Sequence, residues 1–321
     1  MTGEFGAAPD AFLVHDPVRA GAFEAMRGIE DPAVLEREFL YRALPDAKLY
    51  QVQHERLVAE LRRHAPRVYY LEELAGDDAC YALTRSNPNH VFTRDSLMTI
   101  PWVPEGYIAA RMKPPLRRSE RVVMELAAQR LGLRRLVEVP EHLLLEGGDF
   151  VPFAADGQRS ILVGYGPRTA WESLLFLQEN LVPEFADAIV GVELAPWRMN
   201  LDGGLLPVAE DVVVSDTCSI LGSVLLNRHG RREVDLFAML RDLGMRVIDT
   251  TPEESVYAQS CNCICAGHRT VIYYDLCPRV HNLLEQHGIT VRVVPGSELV
   301  KGRGGPRCMT RPIYARPPAA K

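Results

Sequence analysis

Near its C-terminal end the chain reads KGRGGPRCMTRP over residues 301–312. Cys308 follows a glycine-rich turn there, with Arg303, Arg307 and Arg311 as sequence neighbours. Positive charge beside a thiol lowers its pKa and favours the thiolate, the form that attacks an electrophilic carbon. Four other polar motifs carry groups suited to the same chemistry: NPNHVFTRD (87–95), LEGGDF (145–150), MNLDGG (199–204) and QSCNC (259–263). They recur at intervals of about fifty residues, each after a β-rich run and a loop. If the motifs converge, Asp95, Glu146, Asp202, Asn262 and Cys308 set a thiol among carboxylates and amides. Such a site suits a planar cation, because each carboxylate accepts paired N–H donors from a guanidinium. Taken singly, EGGD reads as a turn with a capping acid and FTRD as a surface ion pair. Their ordered recurrence is what separates them from such turns.

The elements that must position these groups also repeat. Five runs with helical periodicity, 51–66, 119–132, 167–181, 231–244 and 278–288, are each followed by a short β-rich run. In the first, Leu57, Val58 and Leu61 share a face. Ser119 stands as a candidate cap of the second. Gly244 closes the fourth, and the fifth starts on proline and ends on glycine. Hairpins precede some of the helices, as in FVPFAADGQRSILVGYG (150–166) and SCNCICAGHRTVIYYD (260–275). The unit is strand, strand, helix, strand, and one unit alone is too small to bury its apolar face. The expectation is an α/β fold, a five-bladed α/β propeller of ββαβ units around a pseudo-fivefold axis. Residues 1–44 form a lead and first strand, 45–313 a single catalytic domain and 314–321 a tail.

Composition narrows the function. The chain of 321 residues is 47% hydrophobic and 24% charged, with a net charge of −6. That balance fits a globular protein with a sizeable core and argues against a nucleic-acid partner, which needs a basic face. The absence of an eighteen-residue apolar run argues against a membrane helix, and MTGEFGAAPDAF does not read as a signal peptide. With seven cysteines, an odd number, a cytoplasmic location is expected rather than a disulfide framework. Cys261, Cys263 and Cys265 alternate on one face of a strand, which suits buried small side chains better than a metal site. No CxxC pair and no HxH or HExxH spacing occurs, so neither a metal nor another cofactor is expected.

FTRD, EGGD, the LDxG of NLDGG and the glycine-rich stretch ending in CMT together resemble the signature set of the guanidine-modifying superfamily. That group, with the pentein fold, includes arginine deiminases, dimethylargininases, agmatine deiminases and amidinotransferases. The resemblance runs from about residue 45 to 313 and is closest to arginine deiminases, although the chain is too short before FTRD for their extra helical domain. It implies that Cys308 attacks the guanidinium carbon, giving a covalent amidino-thiol intermediate. Asp95 and Asp202 would hold the guanidinium nitrogens, with Glu146 in support and Asp149 completing the EGGD motif. The substrate carboxylate would meet Asn89, Arg117, Arg168 and Arg303, which favours free arginine over agmatine. The implied partner is a small guanidine, and self-association is left open.

The resemblance breaks at Asn200, where the family has a histidine. Histidine moves protons near neutral pH; asparagine orients but does not exchange a proton. Three readings follow. A carboxylate or one of His90, His142 and His229 supplies the proton; the substrate is a different guanidine or amidine; or the site binds without turnover. Hydrolysis of arginine to a ureido product is the first expectation. Amidino transfer to an amine is the alternative, and a guanidine-binding protein without catalysis is the alternative of another class.

Overall fold

The computed structural model describes residues 3–314; the expected tail beyond Tyr314 lies outside them. The fold is mixed α/β, with five sheets built alike. In the second sheet Leu97–Ile100 pairs antiparallel with Val103–Ala109, the helix Glu120–Arg130 follows, and Arg134–Arg135 then joins in parallel. The third repeats this with Phe150–Ala155, Gln158–Tyr165, the helix Trp171–Leu181 and Ala188–Leu194. The fourth uses Leu205–Ala209, Val212–Ser215, the helix Leu236–Asp242 and Arg246–Asp249. The fifth uses Ile264–Cys265, Thr270–Tyr274, the helix Pro278–Gln286 and Thr290–Val294. In the first sheet the antiparallel partner comes from the far end of the chain. Arg311–Ile313 pairs with Ala11–Val14, which runs parallel to Arg67–Tyr70 after the helix Ala47–Leu61.

Local chemistry accounts for these elements. Asp46 caps Ala47–Leu61 by accepting from the Leu49 amide at 2.9 Å, and Leu57, Val58 and Leu61 are buried on its inner stripe. Gly244 and Gly288 take φ of 77° and 71° just past their helices, the left-handed turn that releases the chain into the next strand. Val212–Ser215 is buried along its whole length, as a strand covered on both faces must be. Burying each such valine or leucine contributes about 1.5–3 kcal/mol.

Two local expectations change. Residues 231–244 do not form one helix: Gly230–Glu233 turns back as an exposed edge strand on Ile220–Asn227, and the helix begins after Asp235, whose carboxylate accepts from Ala238 N. A true N-cap inside the periodic run overrides the apparent periodicity upstream of it. Ser119 has helical dihedrals (φ −72°, ψ −19°) and makes no side-chain cap bond. Residues 3–44 pack into the unit: Ala11–Val14 is buried throughout, and Glu4 reaches the interior. Among the described residues no helix is long and apolar enough to cross a membrane.

Candidate active site

The five motifs occupy one structural position. Asp95 lies in the single turn Thr93–Ser96 before Leu97–Ile100, Asp149 in Gly147–Asp149 before Phe150–Ala155, and Asp202 in Leu201–Gly203 before Leu205–Ala209. Asn262 likewise precedes Ile264–Cys265 and Cys308 precedes Arg311–Ile313, the antiparallel edge strands of their sheets. These equivalent ends meet. The ligand atoms of Asp95, Asp202 and Cys308 all lie within 4.8 Å of one another. Asn262 grips Cys308 from both sides, its Nδ2 donating to Sγ at 3.1 Å and its Oδ1 accepting from the Cys308 amide at 3.2 Å. The approach is close enough to require glycine. A Cβ on Gly147 would sit 2.2 Å from the Arg94 carbonyl oxygen, and one on Gly305 would sit 2.5 Å from Asn262 Oδ1.

Cys308 is buried, 9% exposed, with Sγ 3.6 Å from Asp202 Oδ2. Burial pushes its thiol well above the ordinary value, Asp202 and Asp95 push it further, and Arg307 and the Asn262 bond only partly oppose them. The electropositive surroundings suggested by the three neighbouring arginines therefore do not arise. Arg307 is spent on Asp202 at 2.7 Å and Glu4 at 2.8 Å, Arg311 on the Arg94 carbonyl at 2.6 Å, and Arg303 on Glu36 at 2.6 Å. The thiol sits in a carboxylate-lined recess that a bound cation would convert into one favouring the thiolate.

Asp95 is buried and takes Arg117 Nη1 at 2.9 Å on Oδ2, while Oδ1 has no protein partner among the described residues. Burial, with Asp202 and Glu146 adding to it and Arg117 opposing, raises its carboxyl to about 6. Asp149 is also raised well above the carboxylate range, chiefly by burial. It braces two motifs, accepting from Thr169 Oγ1 at 2.6 Å, Leu201 N at 2.8 Å and Asn200 Nδ2 at 3.1 Å. Glu146 accepts from Lys113 N at 3.0 Å, Asn200 Nδ2 at 3.2 Å and Arg168 Nη1 at 3.3 Å. Asn200 thus points its amide at two carboxylates.

Of the other candidates for proton transfer, His142 and His229 are exposed, and neither is among the residues lining the two cavities that meet at Cys308. His90 is buried beside His15, and burial holds its pKa well below the usual value. The residues implied for a substrate carboxylate gather on one side, but several are engaged. Arg117 holds Glu120 through two bonds of 2.8 and 2.9 Å as well as Asp95. Asn89 donates to the Phe39 carbonyl at 2.9 Å, and Arg168 bonds Glu146 and Met199 Sδ. Cys261, Cys263 and Cys265 are buried in the core around the fourth and fifth sheets.

Sequence reasoning missed the ion network beneath the site. Glu4 bridges Arg94 at 2.7 Å and Arg307 at 2.8 Å, and Arg94 Nε donates to the Arg307 carbonyl at 3.2 Å. Arginines inside FTRD and PRC were visible, but nothing in EFG at the start of the chain marks Glu4 as their counterion. Two small cavities meet at Cys308. One of about 30 Å³ runs toward Asn89, Asp95, Arg117 and Arg168, and one of about 50 Å³ toward Arg42, Trp197 and Gln259; Asn200 and Arg303 line both. A larger cavity of about 630 Å³ lies against Tyr165, Trp171 and Arg231, among residues that include none of these motifs. Asp95, Asp202 and Cys308 are also a donor set that could hold a metal ion, although each carboxylate already carries an arginine.

Comparison with known proteins adds the following. The family model described as arginine deiminase matches residues 75–315. An arginine deiminase of Rhodococcus jostii is 31% identical over 257 residues, 72% of this chain and 61% of that protein. One of Mycobacterium avium is 29% identical over 93% of this chain and 78% of its own length. The chain thus spans about three fifths of the Rhodococcus relative. Among solved structures, the N-terminal domain of ArgZ, an arginine dihydrolase from the ornithine–ammonia cycle in cyanobacteria, superposes with a TM-score of 0.70 at 17% identity, covering 95% of this chain and 97% of that one. A dimethylarginine dimethylaminohydrolase adduct superposes with a TM-score of 0.65 at 19% identity, covering 95% and 100%.

Proposed function

This chain belongs to the arginine deiminase family, and from that premise we propose that it cleaves a C–N bond of the guanidino group of arginine or an arginine derivative through a covalent bond to Cys308. The observation that carries the proposal is one thiol and two carboxylates, Cys308, Asp95 and Asp202, within 4.8 Å of one another. The fold reading that goes with it is a pentein, its five sheets arranged as blades about a pseudo-fivefold axis and closed where Arg311–Ile313 meets Ala11–Val14.

The guanidinium lies between Asp95 and Asp202, each accepting N–H donors, and its positive charge offsets the two carboxylates that hold the thiol protonated. The thiol proton passes to Asp202, whose Oδ2 is 3.6 Å from Sγ. The thiolate adds to the guanidinium carbon, and a C–N bond of the tetrahedral adduct breaks as the departing –NH2 takes the proton held on Asp202, releasing ammonia and leaving a cationic amidino-thioether. Water then adds to the amidino-thioether carbon as Asp202 takes one of its protons, and the C–S bond of the second adduct breaks, the hydroxyl proton returning to the thiolate and leaving a ureido product. Glu146 and Asp149 hold the Asn200 amide in place beside the reacting carbon. The test is mass spectrometry of the intact protein mixed with arginine, beside Cys308→Ala, with assay of citrulline, ornithine and ammonia. A Cys308-dependent adduct together with citrulline is expected. Ornithine and an adduct discharged only by an added amine would replace hydrolysis with amidino transfer. Arginine binding with neither adduct nor product would leave a guanidine-binding protein, the reading that Asn200 favours.

Binding should depend on pH in a defined direction. With Arg117 as its partner and no ligand bound, burial holds the Asp95 carboxyl at about 6, and a guanidinium ligand requires it ionised. A raised carboxyl binds its proton below that value, so cation affinity falls as pH falls. Calorimetry with Cys308→Ala should give arginine binding about tenfold weaker at pH 5 than at pH 7, with proton release at pH 5. A pH-independent affinity would remove Asp95 from the guanidinium contact.

A further inference from the structure

Among the described residues the third sheet carries five strands where each of the others carries three. The excess comes from the fourth unit, whose strands Ile220–Asn227 and Gly230–Glu233 fold back and extend the third sheet beyond Ala188–Leu194. Helix Trp171–Leu181 seats Leu174, Leu177 and Leu181 on this sheet, in one apolar cluster with Val224 and Leu226 of the added hairpin. The cavity of about 630 Å³ opens between Trp171, at the start of that helix, and the hairpin. Small-molecule sites run to roughly 300–1,000 Å³, and the cavity falls in that range.

Strand register decides which side chains face it. Tyr165, Glu193 and Gly222 form one row across adjacent strands. A Cβ on Gly222 would lie 3.4 Å from Glu193 Oε2, so the carboxylate lies over the bare glycine. Arg231 and Glu233 pair with Leu226 and Val224, which puts them on the helix side, while Arg232 alternates to the other face with Leu225. Tyr165 and Trp171 meet edge-on, their ring centres 5.2 Å apart. Burial, then Glu193 and Glu233, raise the pKa of the Tyr165 hydroxyl, so both carboxylates bear on one ring. Neither carboxylate, nor Arg231, forms an ion pair among the described residues. The cavity therefore sets two like charges without a counter-ion beside an aromatic pair, with one unpaired guanidinium on the edge strand. Like charges so placed repel, a cost that a cation between them removes.

We propose that this cavity is an accessory binding site for a small amino acid with a cationic side chain. The guanidinium or ammonium group lies against the Tyr165–Trp171 pair and donates to Glu193 and Glu233, and the ligand's carboxylate meets Arg231. The site is separate from the chemistry at Cys308, since none of these residues lines the two cavities there. The two rings nevertheless bracket the turn that carries Arg168 and Thr169, whose side chains bond Glu146 at 3.3 Å and Asp149 at 2.6 Å. A ligand held by both rings steadies the segment that fixes the carboxylates around Asn200.

The test is equilibrium dialysis of Cys308→Ala protein against labelled arginine, with and without the pair Glu193→Gln and Glu233→Gln. Glu193, Arg231 and Glu233 are exposed, so their variants should keep the parent's thermal midpoint. The parent should bind one more arginine per chain than the double variant. Two sites falling to one would leave the Cys308 site filled. One falling to none would mean that the guanidine reading of Cys308 fails while the accessory site stands. Equal counts in the two proteins would overturn the proposal. Trp171 fluorescence, isolated by Trp102→Phe and Trp197→Phe, should respond to arginine in the parent and not in the double variant. Arg231→Gln should weaken arginine at this site about tenfold and leave agmatine, which has no carboxylate, unchanged. Equal losses for arginine and agmatine, or citrulline with its neutral side chain binding as tightly as arginine, would overturn the ligand class.

Discussion

Replacing Asn200 with histidine should raise arginine turnover by about 10²–10⁴-fold, the contribution typical of a positioned general acid–base. The position is built to use one. Asn200 lines both cavities at Cys308, and its amide already points at Glu146 Oε2 and Asp149 Oδ2, at 3.2 and 3.1 Å. An imidazole there would place an N–H on a buried carboxylate, which fixes the tautomer and stabilises the protonated ring. Room exists because Gly148 has no side chain; a Cβ there would lie 3.0 Å from Asn200 Cβ. The exposed ring nitrogen would protonate the departing ammonia and then take a proton from water. The measurement is kcat from pH 5 to 9 for both proteins, with thermal midpoints to establish that the variant is folded. A gain in kcat with a new ionisation between pH 6 and 8 would identify proton transfer as what Asn200 withholds. A folded variant with equal or lower turnover would mean that the chemistry is arranged around an amide. A different guanidine, or binding alone, would then become the better account.

The outcome at position 200 also bears on what could be read from sequence. The five polar motifs were legible because each sits at the same point of a repeating unit, just before the antiparallel edge strand of a sheet, so one rule locates Asp95, Asp202, Asn262 and Cys308 together. The helices were legible where an apolar stripe and a terminal signal agreed, as at Leu57–Leu61 and Gly244. The rule failed at 231–244, where Asp235 caps a shorter helix and frees Gly230–Glu233 to pair as an edge strand. Charge was the least legible property. Arg303, Arg307 and Arg311 surround Cys308 in sequence, yet each is bonded elsewhere, and the thiol is governed by burial and by carboxylates contributed from other sheets. Sequence distance says little about electrostatics when the partners are Glu4 and Arg307, 303 residues apart.

The largest loss of stability should come from Arg307. Its side chain is fully buried, with Nη1 on Asp202 Oδ2 at 2.7 Å and Nη2 on Glu4 Oε2 at 2.8 Å. Burial alone would raise the Glu4 carboxyl, but Arg307 and Arg94 override it and hold the group down at about 2. Arg307→Met keeps much of the apolar volume and leaves two buried carboxylates without that cation. Breaking one side of such a pair costs about 3–5 kcal/mol, because the remaining charge is left uncompensated. Denaturant titration should show this as a lower midpoint at unchanged slope. The pH dependence gives a second readout. A carboxyl depressed in the folded state stabilises above its unfolded value, here near 4.5, and loses that contribution as pH falls toward 2. In Arg307→Met the Glu4 carboxyl rises, so the acid-induced loss between pH 4.5 and 2 should shrink. Adding Glu4→Gln to Arg307→Met removes one orphaned charge and should recover part of the stability, while Glu4→Gln alone destabilises. Additive losses in the double variant would mean that Arg307 acts through packing rather than charge. A recovered double variant that remains inactive would divide the network: Glu4 would serve the fold, and the Arg307 bond to Asp202 would serve the chemistry at Cys308.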